Sequence, residues 1–214
     1  MSEPFIHNHQ FNVVRKQGVI IQNALNSVTD KDVLEAVKYG AEAKVLDMFP
    51  EADGQQKHLL GLITDLKTEE QLTAYLEKLS EYRIPFPKMT EREVKKLFRK
   101  NKKLALPDWE SINWTELTYL GWNDAGQNRK FIIYELDGKL TGIAGRYTPV
   151  GKKNICSLCN EYTNVALVTA VTEKSSGDQY RSLGNYFCAD SEECNSNITD
   201  TEYLEKFIRN VKTK

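Results

Sequence analysis

All four cysteines of this 214-residue chain lie between positions 156 and 194. They run Cys156-Ser157-Leu158-Cys159, 28 intervening residues, Cys188, five more residues, Cys194. Two cysteines three apart can point their sulfurs at a common centre from a tight turn, and a second pair completes the tetrahedron that zinc prefers. A soft thiolate set suits zinc or iron-sulfur, and the spacing is unlike the ferredoxin runs. Two other readings compete. Cys156-x-x-Cys159 could be a redox pair, but in a thioredoxin setting that motif opens a helix after a strand and needs no second pair. The four could also form disulfides. Against that, the first ten residues have neither a basic nor an apolar signal region, so the expected address is the cytoplasm, where thiols stay reduced. The reading is therefore one structural Zn2+, held by Cys156, Cys159, Cys188 and Cys194. Four thiolates leave no open coordination position, so the metal is expected to support the fold and to catalyse nothing. It is needed because residues 153–197 are loop-rich and offer one convincing apolar strand. A knuckle, a hairpin and a second pair leading into the last helix make a treble-clef type of zinc finger.

Charge narrows the function classes. Lys and Arg total 29 against 30 Asp and Glu, a formal net charge of -1 with a pI of about 6.3. Whole-protein electrostatics thus mark neither a general nucleic-acid binder nor a membrane-surface protein. The longest uncharged stretch, Gln17 to Thr29, is well short of the roughly 20 apolar residues that span a bilayer.

Ahead of the cysteines the periodicity is helical. Phe11, Val14, Gly18, Ile21, Leu25 and Val28 recur at three- and four-residue steps over residues 9–28. Thr29 to Asp32 resembles a capping box that opens a second helix carrying Leu34, Val37, Ala41, Val45 and Met48. That helix ends near Phe49, because Pro50 disfavours helical geometry before it and Asp53-Gly54 reads as a turn. A third helix carries Leu59, Leu62, Ile63 and Leu66; Thr68-x-x-Gln71 opens a fourth with Leu72, Leu76 and Leu79. Short loops make neighbours antiparallel, so this region reads as a four-helix bundle. Pro85 and Pro87 end the pattern and place a domain boundary, giving 1–83 and 84–214. Beyond it, Thr90-x-x-Glu93 starts a basic helix: from Lys88 to Lys103 eight Lys or Arg stand against two Glu, a local charge of +6. Lys130 to Leu136, the turn Asp137-Gly138 and Lys139 to Tyr147 form a β-hairpin. A strand follows at Val165 to Thr172 with a turn at Ser175 to Asp178, and Thr199-x-x-Glu202 caps a final helix. The fold class is α+β: an N-terminal four-helix bundle followed by an α/β domain containing a treble-clef-like four-cysteine zinc finger.

Other candidates carry little chemistry. His7 and His9 have no carboxylate or cysteine nearby, and His58 is the third and last histidine. Gly151-Lys152-Lys153 lacks the rest of a phosphate loop. Gly121-Trp122-Asn123 to Asn128-Arg129-Lys130 is dense in residues with specific demands and reads as a turn docking Trp122 on the core. The basic helix 88–103 is the one feature that could contact RNA, and otherwise it is a solvated face. No nucleophile-base pair, open metal site or phosphate loop is present, so no enzyme activity is expected.

Taken together, Gly121-Trp122-Asn123, Asn128-Arg129-Lys130 with Ile132-Ile133-Tyr134, Cys156-x-x-Cys159, and Tyr186-x-Cys188 with Asp190-Ser191 and Cys194 resemble the FusB/FusC family of elongation factor G-binding proteins. The resemblance spans most of the chain and is specific from about Gly121 to Cys194. It implies a non-enzymatic zinc protein that binds elongation factor G and promotes its release from stalled ribosomes, giving fusidic acid resistance. Its partner is the factor, with the ribosome reached only through it, and with neither membrane nor small-molecule substrate. By position it implies Cys156, Cys159, Cys188 and Cys194 as zinc ligands and a binding face including Tyr186 and Phe207. The loop before the third cysteine, lysine-rich in the resistance proteins, here reads Arg181-Ser182-Leu183-Gly184 and contributes Arg181 and Leu183. The alternative is a zinc-containing RNA- or ribosome-binding module acting through the basic helix 88–103.

Overall fold

The apolar stripe that opens the chain is realised as α1 (Asn8–Ser27). Its first turn is closed by Gln10, whose Oε1 accepts from the His7 N–H at 2.8 Å while its Nε2 donates to the Met48 carbonyl at 2.8 Å. The computed structural model describes residues 3–101, 103–172 and 182–212. It divides into two compact units, the first ending at Ile84 and the second beginning at Pro85.

In the first unit α1 is followed by α2 (Lys31–Asp47), α3 (Gly54–Gly61) with a 3-10 turn over Leu62–Asp65, and α4 (Glu69–Ser80). Asp30, rather than Thr29, caps α2: its carboxylate accepts from the Asp32 and Val33 N–H groups at 2.8 and 3.3 Å. A charged oxygen is the stronger acceptor for orphan N–H groups, so it displaces the threonine. Asp53, expected in a turn, caps α3 through the N–H groups of Gln55 and Gln56, both at 2.8 Å. Thr68 caps α4 as the sequence implies, accepting from the Gln71 N–H at 3.3 Å. Gly18 shows how closely α1 and α4 pack. A Cβ there would lie 2.4 Å from Leu72 Cδ1, so only glycine admits the α4 leucine at that distance. The core is made of Ile6, Val14, Ile21, Val45, Leu60, Ile63 and Leu79, all fully buried, and the buried phenol of Tyr75 donates to the Leu60 carbonyl at 2.8 Å.

The second unit is built on an antiparallel sheet in the order β1-β2-β3-β4-β5. The strands are β1 (Leu120–Asp124), β2 (Arg129–Leu136), β3 (Lys139–Ile155), β4 (Tyr162–Val171) and β5 (Ser182–Cys188). The β2–β3 turn is the expected one, with Asp137 and Gly138 at φ 52 and 69° as a two-residue hairpin requires. Strand alternation sends Leu120, Trp122, Phe131 and Ile133 toward the core that holds Val94 and Phe98 of and just after α5 (Glu91–Leu97). Ile132 and Ile143 join the other core, with Leu204, Ile208 and Val211 of α7 (Glu202–Lys212). Because both faces of the sheet are covered, β2 is buried continuously from Lys130 to Ile133 and does not alternate.

Three expectations change here. Gly121-Trp122-Asn123 is not a turn but the middle of β1, although Trp122 is on the core as expected. The last helix begins at Glu202, after Thr199 instead of being capped by it; the Asp200 carboxylate accepts the Glu202 N–H at 2.9 Å. A short helix the sequence reading omits, α6 (Ser191–Asn197), stands between β5 and α7. The turn expected at Ser175 to Asp178 lies outside the described residues.

Candidate metal centre

Cys156 and Cys159 stand in the turn after β3, Cys188 ends β5, and Cys194 is in α6. The turn is made tight by Asn160 at φ 59° and by its N–H donating to the Cys156 carbonyl at 2.8 Å. The Ser157 N–H donates to the Tyr186 carbonyl at 2.8 Å, which ties the turn to β5 just before the third cysteine. Asp190 caps α6 through the Glu192 N–H at 2.8 Å and so orients the helix that carries the fourth.

These elements bring the four sulfurs within 4.8 Å of one another, all four residues buried. The Cys156–Cys194 and Cys159–Cys188 separations are 3.9 and 3.5 Å. Zinc–sulfur bonds of about 2.3 Å in a tetrahedron demand sulfur–sulfur edges of about 3.8 Å, so the donor set fits the ion. Cys156 Sγ also accepts the N–H groups of Leu158 at 3.4 Å and Cys188 at 3.2 Å, which favours its thiolate form. Hydrogen bonding from Cys159 first, then Cys188 and Cys194, holds the Cys156 thiol far below the usual range, while Cys156 in turn pushes Cys188 and Cys194 up. Four thiolates this close repel, and a divalent cation is what lets all of them ionise. Tyr119 adds a second test of fit. Its hydroxyl is fully buried with no oxygen or nitrogen partner among the described residues, and burial first and Cys194 next raise its pKa. A thiolate sulfur is the acceptor such a group needs.

Around the sulfurs is a polar layer that the sequence reading did not identify. Asn195 Oδ1 accepts from the Thr118 and Tyr119 N–H groups at 2.7 and 3.1 Å, and its amide donates to the Tyr119 carbonyl at 2.9 Å, pinning α6 to the entry of β1. Asn123 donates to the Ala189 carbonyl at 2.8 Å. Gly121 lets α6 approach: a Cβ there would sit 2.7 Å from Ser191 Oγ. Lys130, 0% exposed, reaches the same place from β2, and burial pushes its pKa down to about 8 against the raising effect of Cys194 and Cys188. The signal was the density of specific residues at 121–130; what hid their role was that their partners lie some 60 residues on, at Ala189 and Ser191.

The other sequence candidates fall elsewhere. Tyr186 is 36% exposed and Leu183 is half-buried against the core. Phe207, expected on the binding face, is 5% exposed, its ring edge-on to Phe187 at 5.1 Å, because α7 turns that stripe onto the sheet. It is a core residue. Arg181 lies outside the described residues. His7 and His9 stack on each other at the start of α1, in the first unit. In the basic helix, Lys95 pairs with Glu91 at 3.0 Å.

Two family profiles match in succession: "Elongation factor G-binding protein, N-terminal" over residues 5–87, and "FBP C-terminal treble-clef zinc-finger" over residues 94–212. A solved structure, "Structure of the fusidic acid resistance protein FusC", is similar with a TM-score of 0.85 and 31% identity over 98% of each chain. No curated protein matches. Among the described residues no helix is long and apolar enough to cross a membrane. With the zinc-finger profile lying over the four buried cysteines, the centre is that of one structural Zn2+.

Proposed function

The chain belongs to the FusB/FusC-type family of elongation factor G-binding proteins, and from that premise we propose that it is a non-enzymatic, cytoplasmic protein that binds elongation factor G. Binding promotes release of the factor from stalled ribosomes and gives fusidic acid resistance. The observation that carries the reading is the match to both halves of the family and to a fusidic acid resistance protein over nearly the whole chain. It acts as two domains, 1–83 and 84–214. Cys156, Cys159, Cys188 and Cys194 would hold the zinc, which when bound supplies a rigid four-way crosslink between the β3–β4 turn, the end of β5 and α6.

The binding surface is the exposed side of the β4–β5 hairpin. Leu167 and Tyr186 are direct cross-strand partners, and Val171 lies on the same face of β4; all three are exposed. Gly184, opposite Thr169, adds no side chain of its own to that face. Ile155 and Tyr162, cross-strand partners beside the cysteine turn, are exposed too. Exposed apolar side chains grouped on one strand face mark an interaction site, and a tyrosine among them is a favoured anchor. Leu183 supports the hairpin from its core side, Phe207 supports it through Phe187, and Arg181 is proposed to assist from the sequence alone. Calorimetric titration of elongation factor G with the full chain tests the reading. Saturable binding with one-to-one stoichiometry is expected; no heat and no complex at tens of micromolar would contradict it.

A second reading rests on one groove. Lys96, Arg99 and Lys100 after the start of α5, Arg129 of β2 and Lys212 of α7 line it, with no carboxylate among its described lining residues. Such a groove suits an RNA phosphate backbone, and binding there would weaken steeply with salt, whereas docking on the apolar patch would not.

A further inference from the structure

The fully buried Lys130 is the feature the functional reading leaves without a task. Moving an ammonium out of water costs several kcal/mol, and proteins normally offset that with a carboxylate in direct contact. The contacts of Lys130 among the described residues are of another kind. Its three protons go to neutral oxygens: Ser191 Oγ at 2.8 Å, Asn123 Oδ1 at 3.2 Å and the Ala189 carbonyl at 3.4 Å. Two of the three acceptors belong to the five-residue link between Cys188 and Cys194. Ala189 follows the third cysteine directly, and Ser191 opens the helix that bears the fourth. Asp190, which lies between those two acceptors in the link, is exposed, is occupied in capping α6, and makes no hydrogen bond to Lys130 among the described residues. Asn123 grips the same Ala189 carbonyl from β1, and Gly121 clears the space that Ser191 fills. The floor formed by β1 and β2 is therefore shaped to receive this link with a cation beneath it.

A divalent ion among four thiolates carries a net charge of about -2, which a dry site cannot hold without compensation. We propose that Lys130 is the positioning residue of the zinc centre: its ammonium is the buried counter-charge to the tetrathiolate site and holds the Cys188-to-Cys194 link in its ligating form. This rests on the zinc reading of the four cysteines. It accounts for a lysine at the head of the buried stretch of β2, where a hydrophobic residue would otherwise be favoured. It also gives Gly121, Asn123 and Lys130 one shared purpose.

The test measures zinc content and zinc affinity of the full chain, by competition with a chromophoric chelator, for the wild type, Lys130→Met and Lys130→Gln. Partners of metal ligands typically contribute 10- to 100-fold in affinity, and both variants are expected to lose about that much. Glutamine keeps a donor and drops the charge. A glutamine variant of wild-type affinity would overturn the counter-charge, and unchanged affinity in both would overturn the proposal entirely. A wild type purified without zinc would instead overturn the underlying zinc reading. Cobalt(II) substitution gives a readout that simple loss of packing would not move. Removing a nearby cation raises the energy of the sulfur electrons, so the sulfur-to-cobalt charge-transfer band should shift to longer wavelength while the tetrahedral ligand-field bands persist. Should both variants fail to fold, reductive methylation of the wild type decides. Lys130 is expected to resist labelling in the zinc-loaded chain and to react once zinc is chelated; labelling of the loaded chain at the rate of surface lysines would refute the assignment.

Discussion

The two units of this chain fix their structures by different physics. The first, up to Ile84, joins its helices through a continuous apolar core, with Ile6, Val14, Ile21, Val45, Leu60, Ile63 and Leu79 all excluded from water, and closes its helix ends with Asp30, Asp53 and Thr68. Its stability is a sum of burial and caps, each contributing from about one to a few kcal/mol. The second, from Pro85, has apolar cores on both faces of its sheet, but at the end where β3, β4, β5 and α6 meet, the buried centre is four thiols, a lysine and a phenol. Without a cation that centre is a cluster of mutually opposed groups. With one it is a crosslink. The lesson is that stability in the first unit is distributed, so no single residue is indispensable, whereas in the second it is concentrated in one set of atoms.

The comparison can be broken most severely at the metal. Structural zinc in small domains supplies an apparent ~10 to 16 kcal/mol, more than a typical domain's net stability. Cys188→Ser should therefore abolish zinc binding and expose β4, β5 and α6 to protease while fragments from α1 to α4 survive; zinc retention with unchanged digestion would contradict it. Next in size comes the first unit's own core. Leu79→Ala is expected to cost ~2 to 5 kcal/mol of that unit's stability in chemical denaturation and to leave zinc content untouched. A loss of metal in this variant would mean that the two units are not independently stabilised.

A pair of aromatic substitutions sharpens the contrast within the second unit. Phe207→Ala, which empties a core site beside Phe187, should destabilise by ~3 to 5 kcal/mol. Tyr186→Ala should weaken binding of elongation factor G by ~2 kcal/mol or more while the melting curve stays nearly in place. If Tyr186→Ala lowers the melting temperature as much as Phe207→Ala, the tyrosine is structural and the docking surface lies elsewhere. The smallest effect is expected at a cap. Thr68→Ala removes the acceptor of the Gln71 N–H and should cost ~1 kcal/mol, measured as a shift in the denaturant midpoint of the first unit alone.

Legibility in the sequence follows the same divide. Helices α1 and α4 could be read from residue spacing because one long face of each is buried, α2 although only Ala41 and Val45 of its stripe are fully covered, and the β2–β3 hairpin because Asp137-Gly138 demands its turn. Zinc was legible because thiolates at tight spacing have few other uses in a reducing compartment. β1 was not, because its five residues include Gly121 and Asn123, whose partners are the distant Ser191 and Ala189. α6 was hidden by its brevity: seven residues are too few for a period, and its buried positions are Ser191, Cys194 and Asn195. Phe207 looked equally suited to surface and core, since an aromatic on an amphipathic stripe serves either, and the rotation of α7 decides. The sequence marks Lys130 only as the end of the 121–130 stretch and the head of the β2–β3 hairpin, because charge ordinarily means exposure. Its partners, Ser191 Oγ, Asn123 Oδ1 and the Ala189 carbonyl, come together only in the fold.

The central claim is that one metal centre orders the second unit and not the first. Amide hydrogen exchange of the full chain, resolved by mass spectrometry before and after removal of zinc with a strong chelator under reducing conditions, tests it most directly. The account predicts that peptides covering β4, β5 and α6 lose their protection while those of α1, α2 and α4 keep theirs. Protection lost equally in both units, or kept in both, would contradict it.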